Sequence, residues 1–206
     1  MGLTADQLSA ATAALAAADP RLHDAVAHLG PPPPRIRPRG PATLLRAIIG
    51  QQVSVKAAAS IWARFEMLLG GDAGNLAALA ALSPEDLRSA GLSGQKASYA
   101  HALAHATLSG ALDFDALPKD DDAAIAALTA VKGIGRWTAE IYLLFAEGRA
   151  DIFPGGDLAV QIELARLLGQ PERPTERETR RLAEPFRPHR GALAIFCWHS
   201  YNSSTL

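Results

Sequence analysis

The sequence predicts an all-α protein, and three observations carry that reading. Alanine-rich apolar runs recur at helical spacing with few clusters of β-branched residues. Helix-start signals punctuate the chain: Thr4-Ala5-Asp6-Gln7, Asp19-Pro20, Ser83-Pro84-Glu85-Asp86 and Thr175-Glu176-Arg177-Glu178. A single cysteine, Cys197, excludes a disulfide framework and a four-cysteine iron–sulfur cluster, so stability must come from packing. At 206 residues the chain can bury a large core as one domain or two lobes.

In order, helices are expected at about 5–18 and 20–29, the second with Asp19 as N-cap and Pro20 at the first helical position. Pro31 to Pro34 cannot be helix interior and open an extended connector through Arg35, Arg37 and Arg39. Those arginines keep a surface segment solvated or meet a polyanion. Periodicity resumes at 42–49 and 54–69, with Gly50-Gln51-Gln52 between and Ser54 as a cap. Gly91-Leu92-Ser93-Gly94-Gln95-Lys96 is a tight turn into a helix that ends near Leu108. His101 and His105 lie one turn apart on it; no third ligand accompanies them, so a polar face is the simpler reading than a metal site. The last helix, about 192–201, is rich in aromatic residues. It is preceded by a helix that Arg180, Arg181 and Arg187 are expected to make basic on one side.

The chain is organised around residues 128–168. An apolar helix over 123–131 leads into Gly133-Ile134-Gly135, and a second helix over about 136–147 has Ile141, Leu144 and Phe145 at core spacing. Glycine accepts positive φ, which lets two helices double back. The N–H groups at the second helix start, with Lys132 and Arg136 beside them, suit a phosphate oxygen. Downstream, Phe153-Pro154-Gly155-Gly156 breaks the chain before Asp157, which opens a helix with Leu158, Ile162, Leu164, Ala165 and Leu168 as its apolar positions. An aspartate there is an ordinary N-cap. The two glutamines, Gln51 and Gln52, bond loop backbone in the plainest reading.

Gly133-Ile134-Gly135-Arg136-Trp137-Thr138-Ala139-Glu140, the Phe-Pro break, and the aspartate opening the next helix together resemble the helix-hairpin-helix DNA glycosylase superfamily. With Ile48-Ile49-Gly50-Gln51-Gln52-Val53-Ser54-Val55-Lys56-Ala57-Ala58, they most resemble its 3-methyladenine DNA glycosylase II branch, over about 41–201. The resemblance implies a two-lobed helical fold with the active site in the inter-lobe cleft and no N-terminal β-domain. Its parts would be an N-terminal segment 1–40, a central lobe 41–150, and a catalytic and C-terminal region 151–206. It implies Asp157 as the catalytic carboxylate, and Trp137, Trp198 and Gln51 around the base. Gln52 would be the wedge that fills the duplex. Lys132, Gly133, Gly135, Arg136 and Thr138 would hold the DNA backbone. The hairpin carbonyls of Thr129, Val131 and Ile134 would bind a monovalent cation, Na⁺ or K⁺; no other cofactor is expected.

A net charge of −1 does not announce a DNA-binding protein, but charge is unevenly spread. From 25 to 65 there are six bases and no acids; from 72 to 122 there are eight acids and three bases. One basic face for a polyanion follows. No apolar run reaches membrane-spanning length and no basic leader precedes the first helix. The expected protein is a monomer acting on double-stranded DNA with damaged bases, in the cytoplasm of a bacterium and associated with the nucleoid.

The implied reaction follows. The target base must leave the stack. Tryptophan can favour a positively charged alkylpurine by cation–π attraction, about 0.5–2 kcal/mol. A carboxylate stabilises charge developing on the sugar. Bifunctional relatives carry a lysine where Trp137 stands, so a monofunctional N-glycosidase leaving an abasic site is expected. The alternatives are a glycosylase of the same fold for deaminated or etheno bases, and a non-catalytic helix-hairpin-helix DNA-binding protein.

Overall fold

The computed structural model describes residues 2–203, and no strand occurs among them. Two compact units form: residues 2–37 with 140–203, and residues 38–139. The division falls at 139/140, inside a helix.

The first unit is built on α12 (Arg190–Ser203), whose residues from Gly191 to Trp198 are all buried. A helix apolar on every side must be surrounded. α1 (Ala5–Ala18) and α10 (Leu158–Leu167) pack against it, and α2 (Pro20–Leu29) lies on both α1 and α10. Local chemistry sets the helix starts. Thr4 and Gln7 close a capping box on α1, and the Asp19 carboxylate accepts the Arg21 N–H at the head of α2. α11 (Glu176–Ala183) begins with the Thr175–Glu178 capping box and packs on α10.

Two expected apolar faces are met in part: Leu164, Ala165 and Leu168 of the first and Leu144 and Phe145 of the second are buried. Leu158 and Ile162 are exposed, while Val160, Glu163, Leu164 and Leu167 face inward. The buried Glu163 carboxylate is paired with Arg166, whose guanidinium also donates to Ser200 Oγ at 3.0 Å, so the inward charge is compensated. The second helix of the hairpin, α9 (Arg136–Tyr142), passes into a π turn over Leu143–Glu147. Tyr142, Leu143, Leu144 and Ala146 are fully buried and Phe145 is buried, while Ile141, which precedes the turn, is half-buried. Arg187 lies beyond α11 and a 3₁₀ turn (Glu184–Phe186), where it pairs with Asp151 and Glu184. It is therefore not part of a basic helix face.

The second unit is centred on α7 (Gly94–Leu108). Its buried face, Ala97, Ala100, Leu103 and Ala104, is mostly small, so α3 (Pro41–Gly50), α5 (Leu76–Ala81) and α6 (Pro84–Ser89) approach closely. α3 contributes Leu44, Leu45, Ile48 and Ile49, all fully buried. On α4 (Val55–Leu68), Trp62 is buried beside Phe65 and under Arg46, an ordinary core indole. α8 (Asp121–Thr129), capped by Asp120, leads into the hairpin.

Candidate active site and nucleic-acid interface

In the first unit, Asp157 is the N-cap of α10. Its Oδ1 accepts the Val160 backbone N–H at 3.1 Å and the Trp198 indole N–H at 3.0 Å. The cap and the proposed catalytic carboxylate are thus one group, held by the first turn of its own helix and by the core helix α12. The loop before it is also fixed. Arg180 Nη1 donates to the Phe153 carbonyl at 2.8 Å, and Gln161 Nε2 to the Gly155 carbonyl at 3.0 Å. A side chain at Gly155 would meet Arg180 Cγ at 2.7 Å, so glycine is needed for this close approach. Arg180 in turn pairs with Glu140 at 2.8 Å and with Glu176 at 2.7 Å. Glu140, which closes the Gly-Ile-Gly-Arg-Trp-Thr-Ala-Glu segment, is only 2% exposed.

Trp198 is buried, with Phe145 tilted against it at 5.6 Å between ring centroids. The Arg35 guanidinium lies over the Trp198 ring, 5.4 Å from its centroid. The sequence reading gave that ring to the base and Arg35 to the surface or a polyanion; in the structure Arg35 is half-buried and occupies an indole face itself. The Arg37 N–H donates to the Phe145 carbonyl at 2.8 Å and pins the connector just beyond Arg35.

In the second unit the hairpin turn is a tight construction. Gly133 has φ +96°, and a Cβ there would collide with the Tyr99 ring. Ile134 is buried and its N–H donates to the Val131 carbonyl at 3.1 Å. Gly135, Arg136 and Trp137 are exposed at the start of α9, with Trp137 at 47%. Lys132 Nζ donates to Ser98 Oγ at 3.2 Å, and Arg136 faces Asp122 at 3.5 Å. Thr138 is buried one turn into the same helix start. Gln51 Nε2 donates to the Gly133 carbonyl at 3.3 Å, the backbone-bonding reading of that amide. Gln52 is exposed with φ +53°. Lys96 Nζ donates to the Ile49 carbonyl at 2.8 Å, and burial lowers its pKa. This tether holds the end of α3, from which the glutamine loop departs. Gln51, Gln52, Val53, Ser93, Gln95, Lys96 and Tyr99 line a cleft of about 370 Å³.

No group of three or more His, Cys, Asp and Glu side chains that could hold a metal ion occurs among the described residues. The His101 and His105 rings are 6.4 Å apart. The Thr129, Val131 and Ile134 carbonyls are neutral hard oxygens, a donor set that fits an alkali cation and not a soft transition metal. The Val131 oxygen already accepts the Ile134 N–H, and a carbonyl has a second lone pair to offer. Sequence reasoning missed Arg35, Arg180, Glu140 and Tyr99. For Arg35 a signal existed: four prolines just before it make a stiff lever.

A tight glycine hairpin followed by a capped aspartate on an all-helical scaffold defines a class, and residues 45–188 match it: the chain belongs to the HhH-GPD superfamily of base excision DNA repair proteins. More particularly, the chain is 32% identical over 158 residues to DNA-3-methyladenine glycosylase 1 of Schizosaccharomyces pombe, spanning 75% of this chain and 69% of that relative. A DNA-3-methyladenine glycosidase from Bacillus halodurans superposes with a TM-score of 0.85 at 31% identity, covering 92% of this chain and 88% of the other. A 3-methyladenine DNA glycosylase from Schizosaccharomyces pombe, bound to abasic DNA, superposes at 0.80 with 29% identity over 95% and 97% of the two chains.

Proposed function

We propose that the protein is a monofunctional DNA glycosylase of base excision repair that hydrolyses the N-glycosidic bond of alkylated purines of the 3-methyladenine and 7-methylguanine type. The observation that carries this is the Asp157 carboxylate, oriented by the Val160 N–H and the Trp198 indole at the head of α10. A carboxylate held this way is pre-set to stabilise the oxocarbenium charge that grows as the base departs, and to orient the attacking water. It needs no reorganisation when the charge appears. The similarity to two 3-methyladenine glycosylases, one of them bound to abasic DNA, supports the substrate class and the product.

The hairpin supplies the phosphate grip in this reading. The exposed start of α9 with Gly135, Arg136 and Lys132 meets the backbone, and the carbonyls of Thr129, Val131 and Ile134 hold a monovalent cation that adds positive charge there. Gln52 fills the gap in the duplex, and Gln51 and Trp137 flank the displaced base. Trp137 stands where a lysine would attack the sugar, so the abasic strand stays intact. The enzyme works as a monomer on damaged duplex DNA at the bacterial nucleoid. No helix among the described residues is long and apolar enough to cross a membrane.

The test is to incubate the protein with methylated duplex DNA, resolve free bases by chromatography, and score strand breaks before and after alkali. Released 3-methyladenine or 7-methylguanine, with breaks only after alkali, is the expected result. Breaks without alkali would sink the monofunctional reading, and DNA binding with no base release would leave a non-catalytic binding protein.

A further inference from the structure

We infer that Arg35 is a selectivity residue of the base site, a built-in cation that offsets the advantage of positively charged purines and keeps neutral lesions within the enzyme's range. The inference rests on the glycosylase reading above and names the substrate charge that this site favours.

The geometry is specific. The Arg35 guanidinium covers the ring of Trp198, 5.4 Å from its centroid. The same indole donates its N–H to Asp157 at 3.0 Å. A guanidinium on an indole face is the interaction a cationic base would otherwise make. Arg35 is also held there. Four prolines precede it, the Arg37 N–H is bonded to the Phe145 carbonyl at 2.8 Å, and Phe145 leans on Trp198 at 5.6 Å. Burial, and secondarily Arg37, lower its pKa, while Asp157 opposes that shift. Arginine nevertheless stays charged at any pH of use. A positively charged purine entering beside Trp198 therefore meets a fixed like charge. A neutral purine meets none, and its ring nitrogen or carbonyl can accept a guanidinium N–H. Hypoxanthine and ethenoadenine are the neutral bases that gain.

The experiment measures single-turnover release of 7-methylguanine (cationic in DNA) and hypoxanthine (neutral) from defined duplexes, for the parent, Arg35→Gln and Arg35→Lys. Arg35→Gln keeps a planar polar group and removes the charge. The 7-methylguanine to hypoxanthine rate ratio should rise about tenfold, the scale of one partly screened charge at close range. Arg35→Lys keeps the charge and should hold the ratio within about twofold of the parent. A ratio unchanged or lowered in Arg35→Gln overturns the inference. So does a lysine variant that shifts as far as the glutamine one, which would make stacking the cause. Thermal unfolding checks each variant, and Arg35→Met replaces Arg35→Gln should the latter not fold. If the parent releases neither of these bases nor 3-methyladenine, the glycosylase reading itself falls and takes this one with it; if it releases 3-methyladenine or 7-methylguanine but no hypoxanthine, only the role of Arg35 falls. If the parent is active and silenced by Asp157→Asn while the ratio stays fixed, only the role of Arg35 falls.

Discussion

Two of the chain's glycine-marked turns, the hairpin and the Asp157 loop, each deliver a helix N-terminus and are built in opposite ways. At the hairpin, Gly133 is required from within: its φ is +96° and the Tyr99 ring fills the space a side chain would need. Its neighbour Gly135 has open space around a would-be Cβ, and the residues that follow are exposed. At the Asp157 loop the pressure is from within throughout. Gly155 is pressed by Arg180, Gly156 faces Glu176, and the helix start is filled by the Asp157 side chain under the Trp198 indole. The comparison teaches what each helix start is for. An open one suits a ligand that brings its own negative charge, such as a phosphate. A filled one spends its N–H on aiming a carboxylate. One turn is a grip, the other a mount.

Breaking the mount should give the largest effect. Asp157→Asn keeps the cap geometry and removes the charge, so base release should fall about 10³-fold, in line with losing one preorganised electrostatic contact. DNA affinity, by mobility shift, should hold; undiminished release in this variant would remove Asp157 from the chemistry. Next comes Arg180→Met. It removes the guanidinium paired with the buried Glu140 carboxylate and frees the Phe153 carbonyl, and breaking a buried pair costs about 3–5 kcal/mol. A fall of several degrees in thermal midpoint, together with slower release, is the expected outcome; a stable but slow variant would show that Arg180 acts only on the loop. Trp198→Phe keeps an aromatic ring and deletes the indole donor. Release should slow by about tenfold, one hydrogen bond to a charged group.

The grip is best tested at Gly135. A side chain at Gly133 would strike Tyr99 and disrupt the hairpin itself, whereas Gly135→Val leaves the fold in place. Affinity for duplex DNA should drop a few-fold, equally for all sequences, with thermal stability unchanged; undiminished affinity would move the phosphate contact elsewhere. Smallest is the response to acid. Asp19 is held below the ordinary carboxylate range by Arg21, Asp86 by Ser83, Glu178 by Thr175 and Glu184 by Arg187. With folded values depressed, the unfolded chain binds more protons, so these groups stabilise fully above the ordinary range. Their contribution drains as pH falls through that range and below it. The decline should be shallow because Asp86, Glu178 and Glu184 are exposed, and Thr175→Ala should make it shallower still in thermal scans from pH 6 to pH 3.

Local order was legible in the sequence because local chemistry sets it. Thr4, Asp19, Ser54, Ser83 and Thr175 each cap the helix that they open, through hydrogen bonds spanning two or three residues. The hairpin glycines, the Phe-Pro break and Asp157 as a cap also depend on neighbours in the chain, so the position of the candidate carboxylate could be read before any fold was known. The inward face of α10 was read only in part: Leu164, Ala165 and Leu168 are buried as their spacing predicts. Leu158 and Ile162 look like core, yet Glu163 is buried in their stead because Arg166 compensates its charge. The residues that aim Asp157 could not be read. Trp198 is 41 positions away, and the arginine that holds the loop before Asp157 reaches back 27 positions to Phe153. Arg35 lies some 160 positions before the indole that it covers. Periodicity and capping report a window of a few residues. A charge on an indole, or a guanidinium on a distant carbonyl, exists only once packing has brought separate helices together, and only the tertiary structure decided those contacts.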